Sequence, residues 1–238
     1  MMADVPMTVI EHLKELRKRI LIAGTAFLLA SIISFSFVRR LSALLSSLGG
    51  GIDLVYISPA EALVTDVKLS FVAGLFLSLP VIAHQVWSFI CPALHKREKV
   101  YVFLLMFLSI VLFLLGSAFA YGVVLPMTMA FFTGFAGPGL DPLISYDRYI
   151  SFITSLTTMF GLVFQMPLIV LFLTWAGLLT PGTLRRNRKT AVFLLFVAAA
   201  ILTPPDVISQ LLMALPMLVL YEVSLLLSVV VSRLKTHS

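Results

Sequence analysis

"LTPPDVISQ", residues 202–210, interrupts a tail that is otherwise almost wholly apolar, and its reading decides the fold. A buried kink here would leave the tail as one re-entrant segment and the chain with five membrane crossings. A tight turn would instead join two spans and make six. The local residues favour the turn. Thr203 is placed to cap a helix whose first position is Pro204, where the missing amide donor costs nothing, and Asp206 then stands in the first turn facing the positive end of the dipole.

The whole chain is built for lipid. Of its 238 residues 60% are hydrophobic and 12% charged, with mean hydropathy +1.08, a balance that excludes a water-soluble domain of this size. Apolar segments long enough to consider as spans run at about 20–38, 69–90, 100–125, 150–176, 190–203 and 207–231. From Thr190 to Leu202 the fifth gives only about 20 Å of helix against a hydrocarbon core of roughly 30 Å. The two spans around the turn are therefore expected to be short, which would thin the bilayer beside them. Residues 1–19 lack the basic start, apolar run and small-residue cleavage site of a signal peptide, so the first apolar segment is read as retained.

Basic residues set the orientation. With six crossings, one side carries Lys14, Arg17, Lys18, Arg19, Lys96, Arg97, Lys99, Arg185, Arg186, Arg188, Lys189, Arg233 and Lys235, and the other only Arg39, Arg40, Lys68 and Arg148. Thirteen against four puts both termini in the cytoplasm. Five crossings would send Arg233 and Lys235 outside, a poorer fit. The net charge of +6 is accordingly a topology signal, and no nucleic-acid partner is expected. One polytopic membrane domain, residues 1–238, accounts for the chain, with no internal repeat.

The loops carry helix-start signals. Ser58, Pro59 and Glu61 stand in capping-box register and predict a short outer helix leading into the second span. Thr8 and Glu11 repeat the device before the first, where Val9, Ile10, Leu13, Leu16 and Ile20 share one helical face. Residues 134–142, "GFAGPGLDP", read as a Gly/Pro loop.

Catalytic signatures are missing. There is no GxxxxGK[ST], no HExxH, and no GxS motif with a histidine in another span. Asp141 and Asp147 share one loop, unlike the facing spans that an intramembrane aspartyl protease needs. Cys91 is the only cysteine, which excludes an internal disulfide and a cysteine metal site. No enzyme activity, metal or cofactor is expected.

Some polar residues need an explanation. Glu15 in "KELRKR" and Glu98 in "HKREKV" are acids in basic surroundings. Two readings stand open: local pairing such as Glu15 with Arg19, or a pair of carboxylates receiving an arginine-bearing ligand through the bidentate match of carboxylate and guanidinium. Mid-span Gln165, just before Pro167, reads as interhelical glue or as a functional amide. Thr203, Asp206 and Gln210 form a third polar group, open between simple capping and a docking edge. Trp87, Trp175 and Tyr121 lie near span ends and read as interfacial anchors. A secondary transporter for a small solute is the competing class, but the two related halves and paired broken helices it should show are not found.

Read in order, "HLKELRKR" (12–19), "SPAEAL" (58–63), "LPVIAHQVWSFICPAL" (79–94), "FGLVFQMPL" (160–168), "LTPPDVISQ" (202–210) and "LPMLVLYE" (215–222) resemble the TatC family, a subunit of the twin-arginine protein translocase. The likeness runs from about residue 12 to 222. It implies an all-α integral membrane protein with six transmembrane helices, cytoplasmic termini and a concave groove, set in the cell inner membrane. Such a protein is a receptor for folded proteins bearing twin-arginine signal peptides, works with TatA- and TatB-type single-span partners, self-associates in the complex and draws on the proton motive force. Carried over residue by residue, the resemblance gives Glu15, Glu98, Phe89 and Pro92 to the signal-peptide site, and Thr203, Asp206 and Gln210 to partner docking. At the family's FGxxFExP pattern this chain has Gln165 where glutamate is usual; glutamine keeps the shape but cannot exchange a proton.

Overall fold

The computed structural model describes residues 9–47, 54–55, 58–90, 99–134, 143–202 and 207–236. They are almost entirely helical and fall into two compact units, residues 1–51 with 56–110, and residues 52–55 with 111–238.

The first unit is built on α1 (Val9–Phe35), the short α2 (Val38–Ser47), α3 (Pro59–Ile90) and the beginning of α4 (Lys99–Phe119). The expected cap before the second span is present: Ser58 Oγ accepts the Glu61 amide at 3.3 Å, and Pro59 opens the helix. The helix that starts there does not stop before the membrane. At 32 residues, about 48 Å at 1.5 Å per residue, α3 holds the expected outer helix and the span in one piece. In the same way the amphipathic lead-in at the N-terminus is continuous with α1. The Thr8 cap lies outside the described residues.

α1 and α3 pack closely because one position lacks a side chain. A Cβ on Gly74 would lie 2.6 Å from the Cα of Ser31 and 2.7 Å from its amide nitrogen, so α3 approaches α1 to backbone contact there. Ser31 itself is satisfied within its helix, its Oγ donating to the Phe27 carbonyl at 2.8 Å, and Phe27 stacks on Phe71 with centroids 5.9 Å apart.

The second unit holds the rest of α4, a π-turn over Ala120–Val124, α5 (Leu125–Gly134), α6 (Tyr146–Val163), α7 (Met166–Trp175), α8 (Pro181–Arg186), α9 (Arg188–Leu202) and α10 (Val207–Thr236). Two residue pairs, Leu54 with Ile144 and Val55 with Ser145, form a short parallel ladder of β1 (Leu54–Val55) and β2 (Ile144–Ser145). Its core is Ile150, Ile153, Leu156, Phe160, Leu168, Met213 and Met217. Missing Cβ atoms again bring helices together. A Cβ on Gly161 would meet the Phe113 ring at 2.8 Å, and Ser117 Oγ donates across to the Thr157 carbonyl at 2.9 Å. Thr174 and Ser228, both buried, join α7 to α10 through their hydroxyls at 2.9 Å.

The span expected at 150–176 is two helices. Pro167 has no amide to donate back to Val163, so the ladder lapses at Phe164 and Gln165 before α7 resumes. Gly177, at φ 78°, ends α7 in the left-handed conformation that glycine adopts without a Cβ penalty. A cap-and-proline pair opens α8, where Thr180 Oγ1 accepts the Thr183 amide at 3.2 Å ahead of Pro181. The pair expected at Thr203–Pro204 is not among the described residues.

Among the described residues five helical segments are long and apolar enough to cross a membrane: 10–35, 60–90, 103–131, 146–175 and 210–234. α9 has only 15 residues, about 22 Å, as its apolar run requires. The expectation that helix six is also short is corrected. α10 runs 30 residues, because helical pattern continues past the apolar run through Arg233 and Pro216 is tolerated inside it. Trp87 is a second correction: at 5% exposure it packs inside its unit instead of facing an interface.

Candidate functional site

In the first unit the N-terminal turns of α1 meet the last turns of α3. Ahead of the apolar run of α1, the spacing of Lys14, Glu15, Lys18 and Arg19 sets charged residues on neighbouring helical positions. Glu15 Oε1 accepts from Arg19 Nε at 3.1 Å and from Nη2 at 2.5 Å. The i,i+4 pairing that the sequence leaves open is therefore present. It occupies one oxygen only. Glu15 Oε2 is buried and has no hydrogen-bond partner among the described residues. An ionised carboxylate oxygen in that state is costly, on the order of 1–3 kcal/mol, unless a donor arrives.

A cavity of about 420 Å³ lies beside it, lined by Lys14, Glu15, Lys18, Arg19, Ile22 and Gln85. Gln85 enters from α3, and four residues further along that helix Phe89 stacks on His12 of α1, ring centroids 4.4 Å apart at 19°. Thus the stack ties the two helices beside the carboxylate. Lys14 and Lys18 are exposed, their charges solvated, while Glu15 and Arg19 are each about four-fifths covered.

Of the expected peptide-site residues, the structure brings Glu15 and Phe89 to the same helix pair. Pro92 and Glu98 lie outside the described residues. Sequence reasoning passed over His12 and Gln85. Gln85 stood inside a quoted motif, and only the packing of α1 on α3 reveals it as a neighbour of Glu15.

The second unit holds the remaining polar residues. Gln165 sits in the lapse between α6 and α7, its Nε2 donating to the Gly161 carbonyl at 3.4 Å. Gln210, near the start of α10, donates from Nε2 to the Phe196 carbonyl of α9 at 3.1 Å. Thr203 and Asp206 are outside the described residues. Further along, Arg188 pairs with Glu222 at 2.5 Å and Tyr221 donates to the Leu184 carbonyl at 2.7 Å, fixing α8 and α9 to α10.

Helices of this length and apolar character define a multi-pass α-helical membrane protein, with a half-satisfied carboxylate at the polar end of one helix. Comparison with known proteins makes the class specific. Residues 11–216 match the family described as Sec-independent protein translocase protein (TatC). The TatC protein of Carboxydothermus hydrogenoformans is 40% identical over 230 residues, 95% of each chain, and that of Aquifex aeolicus is 40% identical over 235 residues, covering 96% of this chain and 98% of its own. A solved structure described as the twin-arginine translocase receptor TatC superposes with TM-score 0.87 at 40% identity, covering 93% of this chain and all of that one. The chain belongs to the TatC family of Sec-independent protein translocase proteins. It functions as a subunit of the twin-arginine translocase, and the small-solute transporter reading is not favoured.

Proposed function

We propose that this chain is the core receptor subunit of that translocase, and that Glu15 and Glu98 bind the paired arginines of a signal peptide on folded cargo. The observation that carries this reading is the buried, unpartnered Oε2 of Glu15 beside an open cavity. Arg19 orients Glu15 through Oε1, and the second oxygen is left for an incoming guanidinium, whose planar fork matches a carboxylate better than an ammonium does. Phe89, stacked on His12, supplies an apolar surface beside the site, and Pro92 is assigned to the same site. The parts assigned to Glu98 and Pro92 rest on the resemblance of their motifs.

Gln165, Thr203, Asp206 and Gln210 are proposed to serve TatA/TatB-type single-span partners. One Gln210 donor is used within the protein, and the rest of the amide remains for a neighbouring helix. With glutamine at 165, proton exchange at that position has no support. The chain is read as one polytopic domain that crosses the cell inner membrane six times, with both termini cytoplasmic, α9 being the short crossing; the thirteen-to-four distribution of basic residues supports that parity. Lipids surround it, copies associate in the complex, and proton-motive force drives export. It is a receptor and not an enzyme.

Titration of the purified chain with a twin-arginine peptide tests the assignment. Glu15→Ala and Glu98→Ala each lose a charge-assisted contact of about 1.5–3 kcal/mol, a roughly 10- to 150-fold weaker Kd, with the fold retained. Unchanged affinity in both variants would sink the site.

A further inference from the structure

α2 has a composition and placement that neither the spans nor the peptide site explain. It follows α1 after only Ser36 and Phe37, with the Phe37 carbonyl accepting the Leu41 amide at 3.2 Å, so the chain turns directly from a span into a second short helix. That helix is amphipathic. Val38 is buried and Leu41 and Leu45 are half-buried on the side that packs on α3, while Arg39, Arg40 and Leu44 are exposed. Phe37 and Leu44, seven residues apart, lie on one line along the exposed side at 51% and 58% exposure, and Arg40 stands one turn before Leu44. Neither arginine has an ion-pair partner among the described residues. Moreover, both belong to the small group of basic residues on the side that the charge rule depletes, so they are not there as topology signals.

An apolar line flanked by unpaired cations, immediately after a span, has the chemistry of a helix lying in the membrane interface: aromatic and leucine side chains enter the acyl boundary while arginines meet phosphates. We propose that α2 binds the phosphate headgroups of anionic phospholipids through Arg39 and Arg40, anchored by Phe37 and Leu44. The ligand is the lipid and not free phosphate, because the two arginines flank an exposed apolar edge instead of converging on an enclosed pocket. This inference rests on the proposed topology for the side of the membrane, but not on the peptide site.

The test uses the full chain in nanodiscs of phosphatidylcholine with a minor share of phosphatidylglycerol, released into a mass spectrometer to count retained anionic lipid. Arg39→Gln/Arg40→Gln is expected to lower the preference for phosphatidylglycerol over phosphatidylcholine about 30-fold, at about 1 kcal/mol for each basic residue near an anionic surface. Leu44→Ser is expected to lower retention of both lipids, and added glycerol phosphate to displace neither. Twin-arginine peptide titration of the same variants should be unchanged, which shows that they fold and separates this proposal from the receptor reading. Equal phosphatidylglycerol preference in the parent and the double variant would overturn it, as would displacement by glycerol phosphate.

Discussion

Gly74→Ala is the substitution from which the packing of the peptide-site unit can be judged. The added methyl would meet Ser31 Cα at 2.6 Å and Ser31 N at 2.7 Å, both backbone atoms that cannot rotate away. Restoring ordinary contact near 3.6 Å requires α1 and α3 to separate by about 1 Å, the kind of overpacking that costs about 1–3 kcal/mol. Replacing glycine in a helix returns about 0.5–1 kcal/mol at most, so the net effect is destabilising by about 1–2 kcal/mol. Gly24→Ala supplies the control within the same unit, because nothing lies within 4 Å of its Cβ position. Thermal unfolding of the two variants in detergent should place Gly74→Ala several degrees below the parent and Gly24→Ala level with it or above. Since Glu15 and Gln85 stand on the two helices being separated, Gly74→Ala should also weaken twin-arginine peptide binding. Equal unfolding temperatures for the two variants would refute the claim of backbone contact between α1 and α3.

Two further outcomes are expected. Gln210→Leu removes the donor to Phe196, worth about 0.6–1 kcal/mol between membrane helices, and should weaken crosslinking to a TatB-type helix while peptide binding stays intact; undiminished crosslinking would leave Gln210 a purely internal tie. In a Cys91→Ser background, single cysteines at positions 53 and 141 should react with an impermeant thiol reagent from outside and one at Asn187 should not, and labelling of Asn187 from outside would overturn the six-span topology.

Much of the fold was legible because membrane helices announce themselves by composition: the spans expected at 69–90 and 207–231 lie within single helices, those at 100–125 and 150–176 are helical but divided by a π-turn or a break, and the shortness of α9 follows from its 13-residue apolar run between Thr190 and Leu202. Three features were not. Helix ends were misjudged where polar turns continue a helix beyond the hydrocarbon, as in α3 and α10, since hydropathy reports the apolar stretch and not the hydrogen-bond ladder. The lapse at Phe164–Gln165 was foreshadowed by Pro167, whereas the π-turn at Ala120–Val124 has no proline and left no signal we can name. α2 escaped notice because ten residues are too few to span and its apolar positions are diluted by Arg39 and Arg40. At the site, the sequence offered Glu15 with two readings; the structure shows the local pairing with Arg19, and it leaves the second carboxylate oxygen without a partner among the described residues. His12 and Gln85 could not be found from spacing, because their importance depends on which face of α3 meets α1.

In the proposed site the second carboxylate oxygen of Glu15 on α1 is open to a guanidinium. The most direct test of that proposal is the Kd of the purified chain for a twin-arginine signal peptide against the same peptide with both arginines changed to lysine, measured side by side at one ionic strength. Both peptides carry the same charge, so only the planar, forked hydrogen bonding differs. The account predicts tight, saturable binding of the first and a loss of roughly tenfold or more for the second, with the difference abolished by Glu15→Ala. Equal affinity for the two peptides, or a preference that survives Glu15→Ala undiminished, would contradict it.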